Sequence, residues 1–100
     1  MVKLAGNFLM ISAITSLREA LTVTEMAGVD AKATLDMLTQ TLFPSPIYQN
    51  YGTMIVEKQR ALSQSAIPQK DLGLFDAVAQ KCSFPAPVAR TLLNLIQRMR

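Results

Sequence analysis

Lys3 and Asn7 are the first residues in this chain whose types and spacing can do chemistry. Residues four apart on a helix share one face, one turn from each other. That face is otherwise apolar, with Leu4, Phe8 and Ile11 close by. An ammonium can donate to a substrate oxygen, and an amide can hold a carboxylate or a hydroxyl. A lysine works as a general acid or base near neutral pH when desolvation or a neighbouring positive charge weakens its hold on the proton. On spacing alone, a surface lysine beside an incidental asparagine is the simpler account, because a working lysine needs a pocket.

A second candidate is the pair Lys70-Asp71, which the spacing predicts at the opening of a helix just after Pro68. Asp71 has an ordinary explanation there, since a carboxylate complements the positive end of the helix dipole. Lys70 does not, because a cation at a helix start is mildly unfavourable. It is therefore a candidate for reaching an anionic or polar ligand. Glu19, further along the first helix, reads as structural. Tyr48 and Tyr51 frame Asn50 and are expected to pack with a hydroxyl at the surface. Cys82 lacks the basic helix-start environment of a reactive thiol and reads as buried filler. The six methionines are scattered, as core filler would be. With no histidine and no carboxylate–cysteine cluster at ligand spacing, no metal site is expected.

The elements that must position these residues read as helices throughout. Val2, Leu4, Ala5, Phe8, Leu9, Ile11, Ile14, Leu17, Leu21 and Met26 recur at helical spacing, with Gly28 as a natural stop. Such a helix is about 40 Å long by the standard rise, which outruns a small domain. It is expected to pack against something outside this chain. Gly6 is its weak point and suggests close approach of another helix or a ligand. Asp30 caps a second helix from Ala31 to Gln40. Ser45 caps a third, with Pro46 at its first position. Gln59 to Pro68 reads as a connection. Gln69 to Lys81 is a fourth helix, with Leu72, Phe75, Ala79 and Cys82 on one face. After the turn Ser83-Phe84-Pro85-Ala86-Pro87, Val88 to Met99 is a fifth, burying Leu92, Leu93, Leu95 and Ile96. The fold class is all-α, with about five helices and a long N-terminal one.

Composition bounds the rest. One hundred residues, half of them apolar, suffice for one core, and a charged fraction of 17% is lean for a soluble domain. Apolar surface covered by a partner or another domain would account for that. No apolar run is long enough to span a bilayer, and the start shows no secretory signal pattern. A lone cysteine fits a reducing, cytoplasmic setting. The net charge of +3 includes Arg90, Arg98 and Arg100, which read as cations complementing the end of a helix. Without interleaved aromatics or a binding motif, they do not read as a nucleic-acid surface.

Several blocks in order carry a family resemblance. Lys3-Leu4-Ala5-Gly6-Asn7-Phe8-Leu9 is followed by Glu19-Ala20-Leu21, Ala27-Gly28-Val29-Asp30 and Tyr51-Gly52. Lys70-Asp71-Leu72 with Leu74, and then Phe84-Pro85-Ala86-Pro87, complete the set. Together they resemble the C-terminal domain of the β-hydroxyacid dehydrogenases. That family comprises 3-hydroxyisobutyrate dehydrogenase-like and glyoxylate/succinic semialdehyde reductase-like enzymes, with 6-phosphogluconate dehydrogenase more distant.

The resemblance implies that Lys3 is the catalytic acid/base, that Asn7 binds substrate, and that Lys70 lies near the nicotinamide. It implies that Asp71 is structural, and that NAD or NADP is bound mainly by an N-terminal Rossmann domain. It also implies a small hydroxyacid or semialdehyde substrate, and a long first helix that packs in a homodimer or larger assembly. Three departures stand out. Gly6 holds the place where the family often has an asparagine, and the connection before Lys70 is shorter and lacks a phenylalanine often found there. No Gly-x-Gly-x-x-Gly fingerprint is present, so residues 1–100 are expected to be the helical substrate, catalytic and oligomerisation domain without its Rossmann partner. On that basis the chain is expected to be inactive alone, as an excised fragment or a truncated product. The alternative is a helical oligomerisation module without catalysis.

Overall fold

A computed structural model describes residues 1–57 and 67–98. Among the described residues there are five α-helices and no strand: α1 (Val2–Met26), α2 (Ala31–Gln40), α3 (Pro46–Val56), α4 (Ile67–Lys81) and α5 (Pro87–Arg98). The chain forms two compact units, and α1 contributes to both. Its first turns, through Ser12, belong with α4 and α5, and its remainder from Ala13 belongs with α2 and α3.

In the first unit the helical period builds the core directly. Ala89, Leu92, Leu93 and Ile96 of α5 fall at i, i+3, i+4 and i+7 and line one stripe. Leu72, Phe75 and Ala79 of α4 form the facing stripe, and Phe8 and Ile11 of α1 complete the cluster. Leu72 and Ala89 are wholly buried. Phe8 and Phe75 stack with centroids 4.6 Å apart and planes inclined by 12°, which pins the start of α1 to α4.

The chain reverses between α4 and α5 through paired backbone bonds. Phe84 N–H donates to Ala79 C=O and Ser83 N–H to Gln80 C=O, both at 3.0 Å. This is the pattern of a helix ended by a left-handed residue, and Ser83 supplies it at φ 58° in place of glycine.

In the second unit Leu17 and Leu21 of α1 pack with Leu35 of α2, joined by Tyr48, Ile55 and Val56 of α3. The punctuation is as the sequence indicates. Gly28 ends α1 at φ 92°, with the same pair of bonds from Gly28 to Glu25 and from Val29 to Thr24. Asp30 caps α2 by accepting from Ala33 N–H at 2.9 Å. Pro46 opens α3, but Ser45, though at the cap position, makes no side-chain capping bond.

Several expectations are corrected. Cys82 is exposed, not buried filler. It follows the last residue of α4, where the chain turns and the 3.6-residue face no longer applies. Leu95 is exposed at 37%, because it lies roughly 110° around α5 from the centre of the buried stripe at 100° per residue. No described helix of this chain closes on Gly6: a Cβ there would meet nothing within 4 Å among the described residues. The tight glycine is Gly52 of α3, whose Cβ would come within 2.3 Å of Leu35 Cδ1. α4 begins at Ile67, so Ile67 and Pro68 are not part of the connection. The rest of that connection, and Met99 and Arg100, lie outside the described residues.

Candidate functional site

The first unit carries the sequence-identified residues. α1 presents Lys3 and Asn7 one turn apart, and α4 presents Lys70 and Asp71. The structure joins these two pairs. Asn7 Nδ2 donates to Asp71 Oδ2 at 2.5 Å, across 64 positions of sequence, and the bond is partly buried. The stacked rings of Phe8 and Phe75, each next along or one turn further, hold the same two helices together. Apolar stacking thus sets the approach of α1 to α4, and the amide–carboxylate bond fixes which polar groups meet.

That bond revises the account of Asp71. With α4 starting at Ile67, Lys70 and Asp71 are its fourth and fifth residues, and the first turn holds no acidic residue. Asp71 lies past the first turn, so a dipole role for it does not apply, whereas Lys70 closes that turn. Asp71 instead accepts a tertiary hydrogen bond. Lys3 and Lys70 are both exposed, and neither forms an ion pair among the described residues. The structure therefore unites Asn7 with Asp71, sets Lys3 one turn before Asn7, and leaves both ammonium groups able to donate to a ligand.

One polar contact escaped the sequence reading. Arg90 Nη2 lies 3.2 Å from Asp76 Oδ2, linking α5 to α4. Asp76 is buried, and its other oxygen, Oδ1, accepts no hydrogen bond among the described residues. A signal was present: Asp76 occupies the i+4 place in the stripe of Leu72, Phe75 and Ala79. A carboxylate on an apolar stripe requires a partner. Arg90 sits in the first turn of α5 and so does not complement a helix C-terminus, whereas Arg98 does lie in the last turn.

A separate shallow concavity runs along α1 in the second unit, lined by Ser16, Arg18, Glu19, Ala20, Thr22 and Val23. It holds none of the four residues of the site, and the chemistry follows those residues. Among the described residues there is no cluster of three or more potential metal ligands, and no helix is long and apolar enough to cross a membrane.

The donors of the first unit can be compared with what a nicotinamide cofactor needs. Two exposed ammonium groups and an amide suit the polar substituents of a nicotinamide and of a small acid substrate. The described residues contain no strand followed by a glycine-rich turn, which is what cradles a pyrophosphate.

The family model described as "NAD-binding of NADP-dependent 3-hydroxyisobutyrate dehydrogenase" matches residues 1–100. The chain is also similar to the uncharacterized oxidoreductase YfjR of Bacillus subtilis (strain 168), with 35% identity over 89 residues. That match takes in 87% of this chain, and the chain spans 31% of the length of that relative.

Proposed function

The chain belongs to the family described as "NAD-binding of NADP-dependent 3-hydroxyisobutyrate dehydrogenase", and from that premise we propose that it is the helical domain of an NAD(P)-dependent β-hydroxyacid dehydrogenase. In this reading it works beside an N-terminal dinucleotide-binding domain on a small 3-hydroxy acid or its semialdehyde. A bound nicotinamide supplies the hydride chemistry. The residues of this chain supply the rest. Lys3 gives a proton to the substrate carbonyl oxygen during reduction and takes it back from the hydroxyl during oxidation. Asn7 holds the substrate within reach of that ammonium, one helical turn away. Lys70, exposed beside Asp71 on α4, reaches toward the nicotinamide end of the cofactor.

The observation that carries this reading is the Asn7–Asp71 hydrogen bond. It brings the lysine–asparagine block and the lysine–aspartate block to one place, as a shared site requires. The test is Lys3→Ala in the full-length dehydrogenase. The kcat for semialdehyde reduction falls by about 100- to 10,000-fold, the usual contribution of a positioned acid/base group. An unchanged kcat removes Lys3 from the mechanism.

A second reading, a helical self-association module, is favoured by one observation. Val2, Leu9, Val23 and Met26 along α1 are all exposed, Val2 at 88% and Met26 at 82%. The two readings are compatible within one dehydrogenase.

A further inference from the structure

We infer that Asp71 is a positioning residue for the reaction: it sets which way the Asn7 carboxamide faces, and so where its oxygen and its second N–H are presented to the substrate. This rests on the proposed placement of Asn7 against the substrate. The two ends of a primary amide are opposite in character. The oxygen only accepts hydrogen bonds and the nitrogen only donates. Electron density alone seldom tells one end from the other, and the partner decides. Here the partner is a carboxylate, which only accepts. It therefore selects the nitrogen end, and Asn7 Nδ2 donates to Asp71 Oδ2. Turning the amide over would set Oδ1 against a carboxylate oxygen, acceptor against acceptor.

With one Nδ2 hydrogen committed to Asp71, Oδ1 and the second N–H are left for a ligand, each in a direction set by that bond. Asn7 can thus accept from a substrate hydroxyl through Oδ1 and donate through its second N–H, each from a position that Asp71 fixes. The backbone contributes little freedom to blur this choice. Asn7 lies inside α1 and Asp71 inside α4, and Phe8 and Phe75 stack between the same helices at 4.6 Å. Two rigid elements therefore hold donor and acceptor, as precise positioning needs. Lys70, the neighbour of Asp71, is exposed and leaves this bond to Asp71 alone.

Asp71→Asn tests the idea. The substituted amide has nearly the same shape and can still bond to Asn7, but it presents either end and so imposes no orientation. In the full-length dehydrogenase we expect kcat/KM for the hydroxyacid to fall about 10-fold, mostly through KM, with a small change in Tm; one ordinary hydrogen-bond preference has that size. In an Asn7→Ala background, the same substitution is expected to change kcat/KM less than about 2-fold, because its effect passes through Asn7. Should Asn7→Ala fail to fold, Asn7→Ser provides the background. An equal loss in both backgrounds overturns the proposal. So does a loss carried entirely by Tm and the active fraction with KM unchanged. A failure of the wider reading looks different, because Lys3→Ala would then retain activity whatever Asp71 does.

Discussion

The two units of this chain are built from the same material and held in different ways. The unit of α2, α3 and the later turns of α1 is sequence-local, and its core is Leu17, Leu21 and Leu35 with Tyr48, Ile55 and Val56. Its described ion pair, Lys32–Asp36, lies within one helix and is well exposed. The unit of the first turns of α1 with α4 and α5 joins residues from opposite ends of the sequence. It adds two polar ties between helices, Asn7–Asp71 and Asp76–Arg90. Polar ties between helices cost desolvation, and they are justified where a particular register or a particular presented atom matters. The candidate chemistry lies in the unit that shows these two ties.

That contrast can be broken or sharpened by substitution. The largest stability effect is expected from Leu72→Ala, which empties the centre of the first unit and costs about 2–5 kcal/mol for a fully buried leucine. Hydrogen exchange should show α4 and α5 losing protection before α2 and α3. Equal loss in all four helices would mean that the units do not respond separately.

A smaller effect follows from Arg90→Ala, which strips the partner from the buried Asp76. Because Arg90 is half exposed at 54%, we expect about 1–2 kcal/mol, read from the urea midpoint. No loss would demote the pair to a surface contact. The smallest belongs to the second unit. Gly52→Ala gains up to about 1 kcal/mol of helix propensity but crowds the buried Leu35, at about 1–3 kcal/mol. We expect a net loss near 1 kcal/mol, also by urea unfolding. A stabilised variant would show that Leu35 has room to move.

What was legible in the sequence was local. The stop at Gly28 and the cap at Asp30 are decided within a few residues, and both are in place. The α5 stripe follows from its period, and the same period sets Leu95 outside it despite its apolar type. The start of α4 was missed because Ile67-Pro68 resembles a connector, although proline is well suited to a first helical turn, where its missing N–H is not needed.

The site was legible as residue types and not as contacts. Nothing near Asp71 in sequence announces Asn7, which is 64 positions away. The same limit explains the glycines. Gly6 and Gly52 look alike in sequence, and only packing shows that no described residue crowds Gly6 and that Gly52 lies against Leu35. Asp76 was the missed opportunity, since a carboxylate on an apolar stripe announces a buried partner without naming it.

The central claim is that Lys3 is the proton donor and acceptor of a dehydrogenase site. The most direct measurement is chemical rescue. In the full-length enzyme carrying Lys3→Ala, semialdehyde reduction is followed with and without added small primary amines. The account predicts a severe loss of kcat, partly restored in proportion to amine concentration. A Lys3→Ala enzyme that turns over at the wild-type rate without amine would contradict it.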